Sequence, residues 1–175
     1  MRKVILYIAM SLDGYIADSS GKVDWLEGQD GKAMVDTYIA FAAGVDTVVM
    51  GWNTYHQIAT ELSPGVWSYA GMTCYVVTHR DLSDAEGIRF VREDPRELLR
   101  RLKEEEGKDI WICGGAEVIH SLLQDGWIDE YRISVIPTIL GSGISLFGTL
   151  TEEHRLRLVN RQDGNGIVEL TYVPR

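Results

Sequence analysis

The chain has 175 residues, a formal net charge of −9 at pH 7, and 45% hydrophobic against 25% charged residues. That composition is ordinary for a globular protein, while the surplus of acid with no basic stripe argues against a nucleic-acid partner. No apolar run approaches the ~20 residues of a membrane helix, so a single domain over residues 1–175 with one core is expected.

Arg2 and Lys3 precede an apolar run that lacks a cleavage pattern, so residues 3–10 read as a first core strand. Asp13-Gly14 then turns the chain into an irregular segment, 15–31, which carries Trp25 and reads as a loop over a site. A helix is predicted over 31–43, because Met34, Val35, Tyr38, Ile39 and Ala42 share one face and Gly44 supplies a stop. Residues 47–50 form a buried strand ending at Gly51. A short polar helix over 54–59 and a loop with Pro64-Gly65 lead to a strand at 73–78, and another follows at 88–91.

The next helix is signposted by Asp94 as cap, Pro95 at its first position, and Glu97 completing a capping box. Leu98, Leu99 and Leu102 face inward, and Gly107 stops it. Residues 110–113 are apolar enough for a strand buried on both faces. After Gly114-Gly115 a helix opens at Ala116, with Val118, Ile119, Leu122 and Leu123 at helical spacing. An alternating strand at 130–136 closes at Pro137, 138–147 reads as loop, and 156–160 with 167–173 form a hairpin across 163–166. Cys74 and Cys113 each sit in an apolar run and read as core thiols of a reducing cytoplasm. The class is α/β: a three-layer sandwich with a mixed, mostly parallel sheet of about eight strands, helices on both faces and a C-terminal β-hairpin.

In such sheets ligands sit beyond the carboxyl ends of the strands, where Gly51, Thr78 and Gly114-Gly115 all fall. The paired glycines either make a plain tight turn or let an anion approach the backbone at the start of a helix, whose N–H groups and dipole favour negative charge. Other sites lack their signatures. A Rossmann dehydrogenase needs Gly-x-Gly-x-x-Gly after the opening strand, where this chain has Ala9-Met10-Ser11-Leu12-Asp13-Gly14. Neither a Walker loop nor a nucleophile elbow is present, and His56, His79, His120 and His154 lack metal-ligand spacing, so no metal is expected.

Four patches occur in an order and spacing that resemble the dihydrofolate reductase-like superfamily, in the branch of the reductase domain of bacterial riboflavin biosynthesis. They are the run from Ala9 through Ser11-Leu12-Asp13-Gly14 to Ala17; Val48-Val49-Met50-Gly51-Trp52-Asn53-Thr54-Tyr55; Trp111-Ile112-Cys113-Gly114-Gly115-Ala116; and Asp129-Glu130-Tyr131-Arg132-Ile133-Ser134, with Pro137 and Leu140-Gly141-Ser142-Gly143 behind it. The resemblance implies an oxidoreductase that uses NADPH to reduce a small heterocycle. The reaction it most suggests is the aminouracil reduction of riboflavin biosynthesis; dihydrofolate reduction and a nucleotide-binding module without turnover are the alternatives.

By the same resemblance Cys113, Gly114, Gly115, Ala116, Glu117 and Val118 hold the pyrophosphate of NADPH, and Gly51, Trp52, Asn53 and Thr54 close on it. Thr78, His79 and Arg80 face the adenosine 2′-phosphate, and Ala9 and Ile16 line the nicotinamide. Taken alone, Asn53 or Thr54 reads equally as a helix cap and Arg80 as a solvated loop cation. Relatives commonly carry a cation where this chain has Trp52, and an Ala-Asp-Asp-Pro-like run where it has Gln57-Ile58-Ala59-Thr60. Asp13, Trp25, Asp36 and Ser134 are the substrate-side candidates. Asp36 matches the proton-donating carboxylate of the first helix and Ser134 the hydroxyl beside it, while Asp13 reads equally as a turn residue before glycine. The resemblance also implies a homodimer, for which the apolar segment 136–146 is available.

Overall fold

The computed structural model describes residues 1–30 and 37–175. In chain order the elements are β1 (Val4–Ser11), β2 (Tyr15–Ala17), α1 (Thr37–Ala42), β3 (Val45–Gly51), α2 (Trp52–Gln57), β4 (Thr73–Val77), β5 (Ile88–Val91) and α3 (Pro95–Glu104). They continue through β6 (Asp109–Gly114), α4 (Ala116–Gln124), β7 (Glu130–Ile136), β8 (Ile144–Ser145), β9 (Leu156–Gly164) and β10 (Ile167–Pro174). Eight strands make one sheet in the order β5-β4-β3-β6-β1-β7-β10-β9. Pairing is parallel from β5 to β7 and antiparallel where β10 joins β7 and β9.

Alternation along β1 divides the core in two, because successive side chains point to opposite faces of a sheet. Val4, Leu6, Ile8 and Met10 face the helices α3 and α4, packing with Leu98, Leu99, Leu102, Ile119 and Leu122. Ile5 and Tyr7 face the other side, with Phe41 of α1 and with Val48, Met50, Val76 and Trp111. Strands covered on both faces need apolar residues at nearly every position, which is why β1, β3 and β6 read as continuous hydrophobic runs. The α/β sandwich expected from the sequence is the observed architecture. Among the described residues no helix is long and apolar enough to cross a membrane.

Several local expectations change. The short helix begins at Trp52 rather than at 54, and runs on into a π-helical turn, Ile58–Leu62. Its start is drawn forward by the Trp52 ring, which lies 5.5 Å from the rings of both Tyr55 and His56. The segments 15–31 and 138–147 are not wholly loop, since β2 and β8 pair antiparallel as a two-stranded ribbon beside β1. The first strand of the terminal hairpin runs on to Gly164, leaving the turn at Asn165-Gly166. At α3 the capping box does not form. The Asp94 carboxylate accepts from the Arg96 N–H at 2.8 Å and is gripped by the Arg96 guanidinium, while Glu97 pairs with Arg100. Of the helix expected over 31–43, the described part is α1; Asp36 lies outside the described residues.

Candidate active site

The carboxyl ends of β3, β4 and β6 meet at one place. Gly114 closes β6 with φ +143°, a backbone conformation that glycine alone adopts readily, and the peptide joining it to Gly115 is cis. A Cβ on Gly114 would stand 3.3 Å from the Thr54 hydroxyl, and one on Gly115 would stand 3.1 Å from it. Thr54 of α2 therefore lies directly over the glycine pair. A Cβ on Gly51 would touch Val118 at 3.5 Å, so α4 and the end of β3 are in van der Waals contact there.

Both helices that start here begin without a side-chain cap. Gly51 stands at the cap position of α2 and Gly115 at that of α4, and neither start has a side-chain hydrogen bond. Asn53 and Thr54 thus do not cap α2. The first N–H groups of α4, from Ala116 through Val118, lack a capping oxygen and point from a nine-residue helix whose dipole is positive at that end. Glu117 is exposed, whereas Ala116 is half-buried.

The third strand end is joined through an aromatic ring. The Arg80 guanidinium sits 4.6 Å above the Trp52 ring, a cation–π contact, and the Arg80 N–H donates to the hydroxyl of buried Thr78 at 3.2 Å. Behind them Trp52, Tyr55 and Phe90 pack together, with ring centres 5.2–6.4 Å apart. The ring contact thereby orients the Arg80 guanidinium beside the start of α2. His79, next to it, is exposed. Cys113, one residue before the glycines, is held to the Tyr69 hydroxyl at 3.3 Å, and burial pushes its thiol up to about 11.

On the other side of β6 the chain crosses the ends of β1 and β7. Asp13 is committed to backbone there. Its carboxylate accepts from the Ser11 hydroxyl at 2.7 Å and from the N–H groups of Leu140 and Gly141 at 3.1 and 2.7 Å. The Ser11 hydroxyl, followed by those N–H groups, holds the Asp13 carboxyl below its usual range. Ile16, on β2, packs half-buried at the margin of the α3–α4 core. The loop that follows is tied at two points. Gln57 of α2 donates to the Gly21 carbonyl at 2.9 Å, and the N–H groups of Gln29 and Asp30 donate to the backbone and side-chain oxygens of Asn165, each at 2.9 Å. Trp25 within it is half-buried and donates to the Lys22 carbonyl at 3.2 Å.

Between these boundaries the α1 side of the sheet is polar. Register places Ala9, Ser134 and Glu169 side by side on β1, β7 and β10, with Tyr7, Arg132 and Thr171 one step behind. Ser134 and Glu169 are both buried. The Thr37 hydroxyl donates to Glu169 Oε2 at 2.8 Å and lies 3.1 Å from the Tyr7 hydroxyl, whose pKa burial raises. Arg132 turns toward Glu130 at 2.7 Å, its guanidinium 5.3 Å from the Phe41 ring. The structure thus groups Ala9 and Ser134 on one side of the cleft and Gly51, Thr54, Trp52, Arg80, Gly114 and Gly115 on the other. Glu169, Thr37 and Tyr7 are the residues that sequence reasoning missed. The available signal was parity, because Ile167, Glu169 and Thr171 share the inward face of β10 and two of the three are polar.

A model of the RibD C-terminal domain family matches residues 2–168. The chain belongs to that family. Its fold is the dihydrofolate reductase-like one of its solved neighbours. YwjB of Bacillus subtilis (strain 168), itself uncharacterised, is 44% identical over 173 residues covering 98% of each chain. YyaP of the same organism, also uncharacterised, is 29% identical, covering 98% of this chain and 94% of YyaP. A solved structure from Shewanella sp. PV-4, whose name links it to riboflavin biosynthesis, superposes with a TM-score of 0.85 at 27% identity over 99% of both chains. The Thermotoga maritima diaminohydroxyphosphoribosylaminopyrimidine deaminase/5-amino-6-(5-phosphoribosylamino)uracil reductase has the same fold. Its TM-score is 0.71 at 17% identity, and the match covers 99% of this chain but 57% of that one.

Proposed function

We propose that this RibD C-terminal domain protein is an NADPH-dependent reductase of a small heterocycle, its reaction resembling the 5-amino-6-(5-phosphoribosylamino)uracil reductase step of riboflavin biosynthesis. One observation carries the reading: the Gly114-Gly115 pair, the Thr54 hydroxyl and the Trp52–Arg80 stack converge at three adjacent strand ends. The donor set suits a dinucleotide phosphate. Uncapped N–H groups of α4 and the Thr54 hydroxyl suit a pyrophosphate, and the planar fork of Arg80 suits a 2′-phosphate. The net charge of −9 makes such local capture necessary.

When bound, the nicotinamide supplies the hydride. The chain's own residues then have three tasks. Ala9 and Ile16 give the ring an apolar wall, the strap tied by Gln57 and Asn165 keeps water out, and the β1–β7–β10 face orients the substrate. Asp13 serves this reading by anchoring the 138–141 segment at the rim, and Asp36 is its proton donor. A cytoplasmic homodimer of single-domain chains, paired through exposed Ile139 and Ile144, accords with the same reading.

The test is NADPH oxidation, followed by its loss of absorbance, against a panel of aminopyrimidines and pterins. Turnover with an aminopyrimidine is the expected result. Saturable NADPH binding with no turnover on any member would instead leave a binding module.

A further inference from the structure

We propose that Glu169 is the hydrogen-bond acceptor that seats the substrate, and that the site therefore takes a heterocycle presenting amino N–H donors along one edge. The inference rests on the reductase reading for the position of the cleft, and it adds the class of substrate edge recognised there. A buried carboxylate is costly unless it is paired with a cation or with donors. Among the described residues Glu169 has no ion pair: Arg132, the basic side chain beside it on the same face, pairs through its Nε with Glu130 at 2.7 Å, and Lys3 pairs with the same carboxylate at 3.5 Å.

What Glu169 does have is a fixed orientation. Thr37 owns one hydroxyl proton and gives it to Glu169 Oε2 at 2.8 Å, so the Tyr7 hydroxyl must be the donor across its 3.1 Å contact with Thr37. Tyr7, Thr37 and Glu169 form a one-way chain of donors ending on the carboxylate. That chain is a poor proton wire, because drawing a proton along it would leave a tyrosinate where burial already disfavours one. It is suited to holding an acceptor still. Ser134, whose hydroxyl can both give and take, lies between Glu169 and Ala9 in register. A flat ring placed over Ala9 and Ser134 would reach Glu169 with its far edge, and an acceptor-only carboxylate there selects N–H groups and repels phosphate.

The experiment compares 2,4-diaminopyrimidine with 2,4-dimethylpyrimidine, a ring of the same shape without donors, by calorimetric titration of the full chain. The wild type is expected to prefer the diamine by roughly ten- to hundredfold, and Glu169→Gln to lose most of that preference. A wild type without preference overturns the proposal, as does a Glu169→Gln variant that keeps it. Should Glu169→Gln fail to fold, Thr37→Val retains the carboxylate but removes its orienting donor. Its preference should fall severalfold, and an unchanged ratio counts equally against the proposal. The ratio is insensitive to a general loosening of the site, which weakens both rings alike. A separate NADPH titration of the wild type reports on the reductase reading itself, so the two can fail independently.

Discussion

On the proposed reading, Arg80 is the side chain on which cofactor selectivity turns. A guanidinium stacked on Trp52 at 4.6 Å has lost part of its freedom before any ligand arrives, so a 2′-phosphate finds it oriented. Arg80→Ala should weaken NADPH by roughly tenfold or more while leaving NADH within about twofold. Equal losses for the two nucleotides, measured by fluorescence titration, would remove Arg80 from the 2′-phosphate site. Asp13 makes a prediction about acid. Its pKa is lower folded than the ordinary 3.8, so its tie to the 138–141 segment is complete above that value and is lost as pH falls through the lower folded value. The amide resonances of Leu140 and Gly141 should therefore titrate together with a midpoint below 3.8, and a midpoint at or above it contradicts the tie. The 2′-phosphate role of Arg80 was legible only through the family resemblance, and the anchoring role of Asp13 was not legible at all. Arg80 reads as any loop cation until Trp52 is found beneath it, and Asp13-Gly14 reads as a turn until the partner segment over a hundred residues away is in place.

At the scale of elements, α3 shows how local signals are written into sequence. Asp94, Pro95 and the Leu98, Leu99 and Leu102 stripe act within one turn of themselves, so the helix is readable without its neighbours. Asp94→Ala should cost about 1 kcal/mol through loss of the cap, measured by denaturant unfolding, and no loss would mean that the Arg96 N–H finds another acceptor. The cap also has an acid limit. Its hydrogen bonds from Arg96 bring the Asp94 carboxyl down to about 2, so its contribution persists at pH 4 and disappears toward pH 2. The α2 segment is the opposite case. Its start at Trp52 is accompanied by ring contacts with Arg80, just after β4, and Phe90 of β5, which no window of sequence contains. The β2–β8 ribbon is equally non-local, being two short strands that pair across more than a hundred residues of sequence.

Across the whole molecule, the sheet divides its two faces by purpose. The α3–α4 side is apolar except where buried Arg2 bonds to Thr47 and to the Leu102 carbonyl, whereas the α1–α2 side is apolar under β3, β4 and β6 and polar under β7 and β10. The sandwich and the Gly114-Gly115 cradle were readable because apolar runs and paired glycines are properties of contiguous residues. Of the polar floor only Ser134 was readable, through the family resemblance, because Tyr7, Thr37 and Glu169 come from three further elements spread over most of the chain. The proposed cofactor half is thus made of short contiguous stretches, 51–54, 78–80 and 113–118, and the proposed substrate half of single residues from separate elements. The cofactor half is also where the central claim is exposed to a simple test: titration of the chain with NADPH, followed by quenching of tryptophan fluorescence, with Trp52 and Trp111 as reporters. Saturable quenching with a dissociation constant well below 1 mM, on the order of the usual cofactor range, is the expected result. No saturable binding of NADPH or NADH at about 1 mM would contradict the dinucleotide cleft.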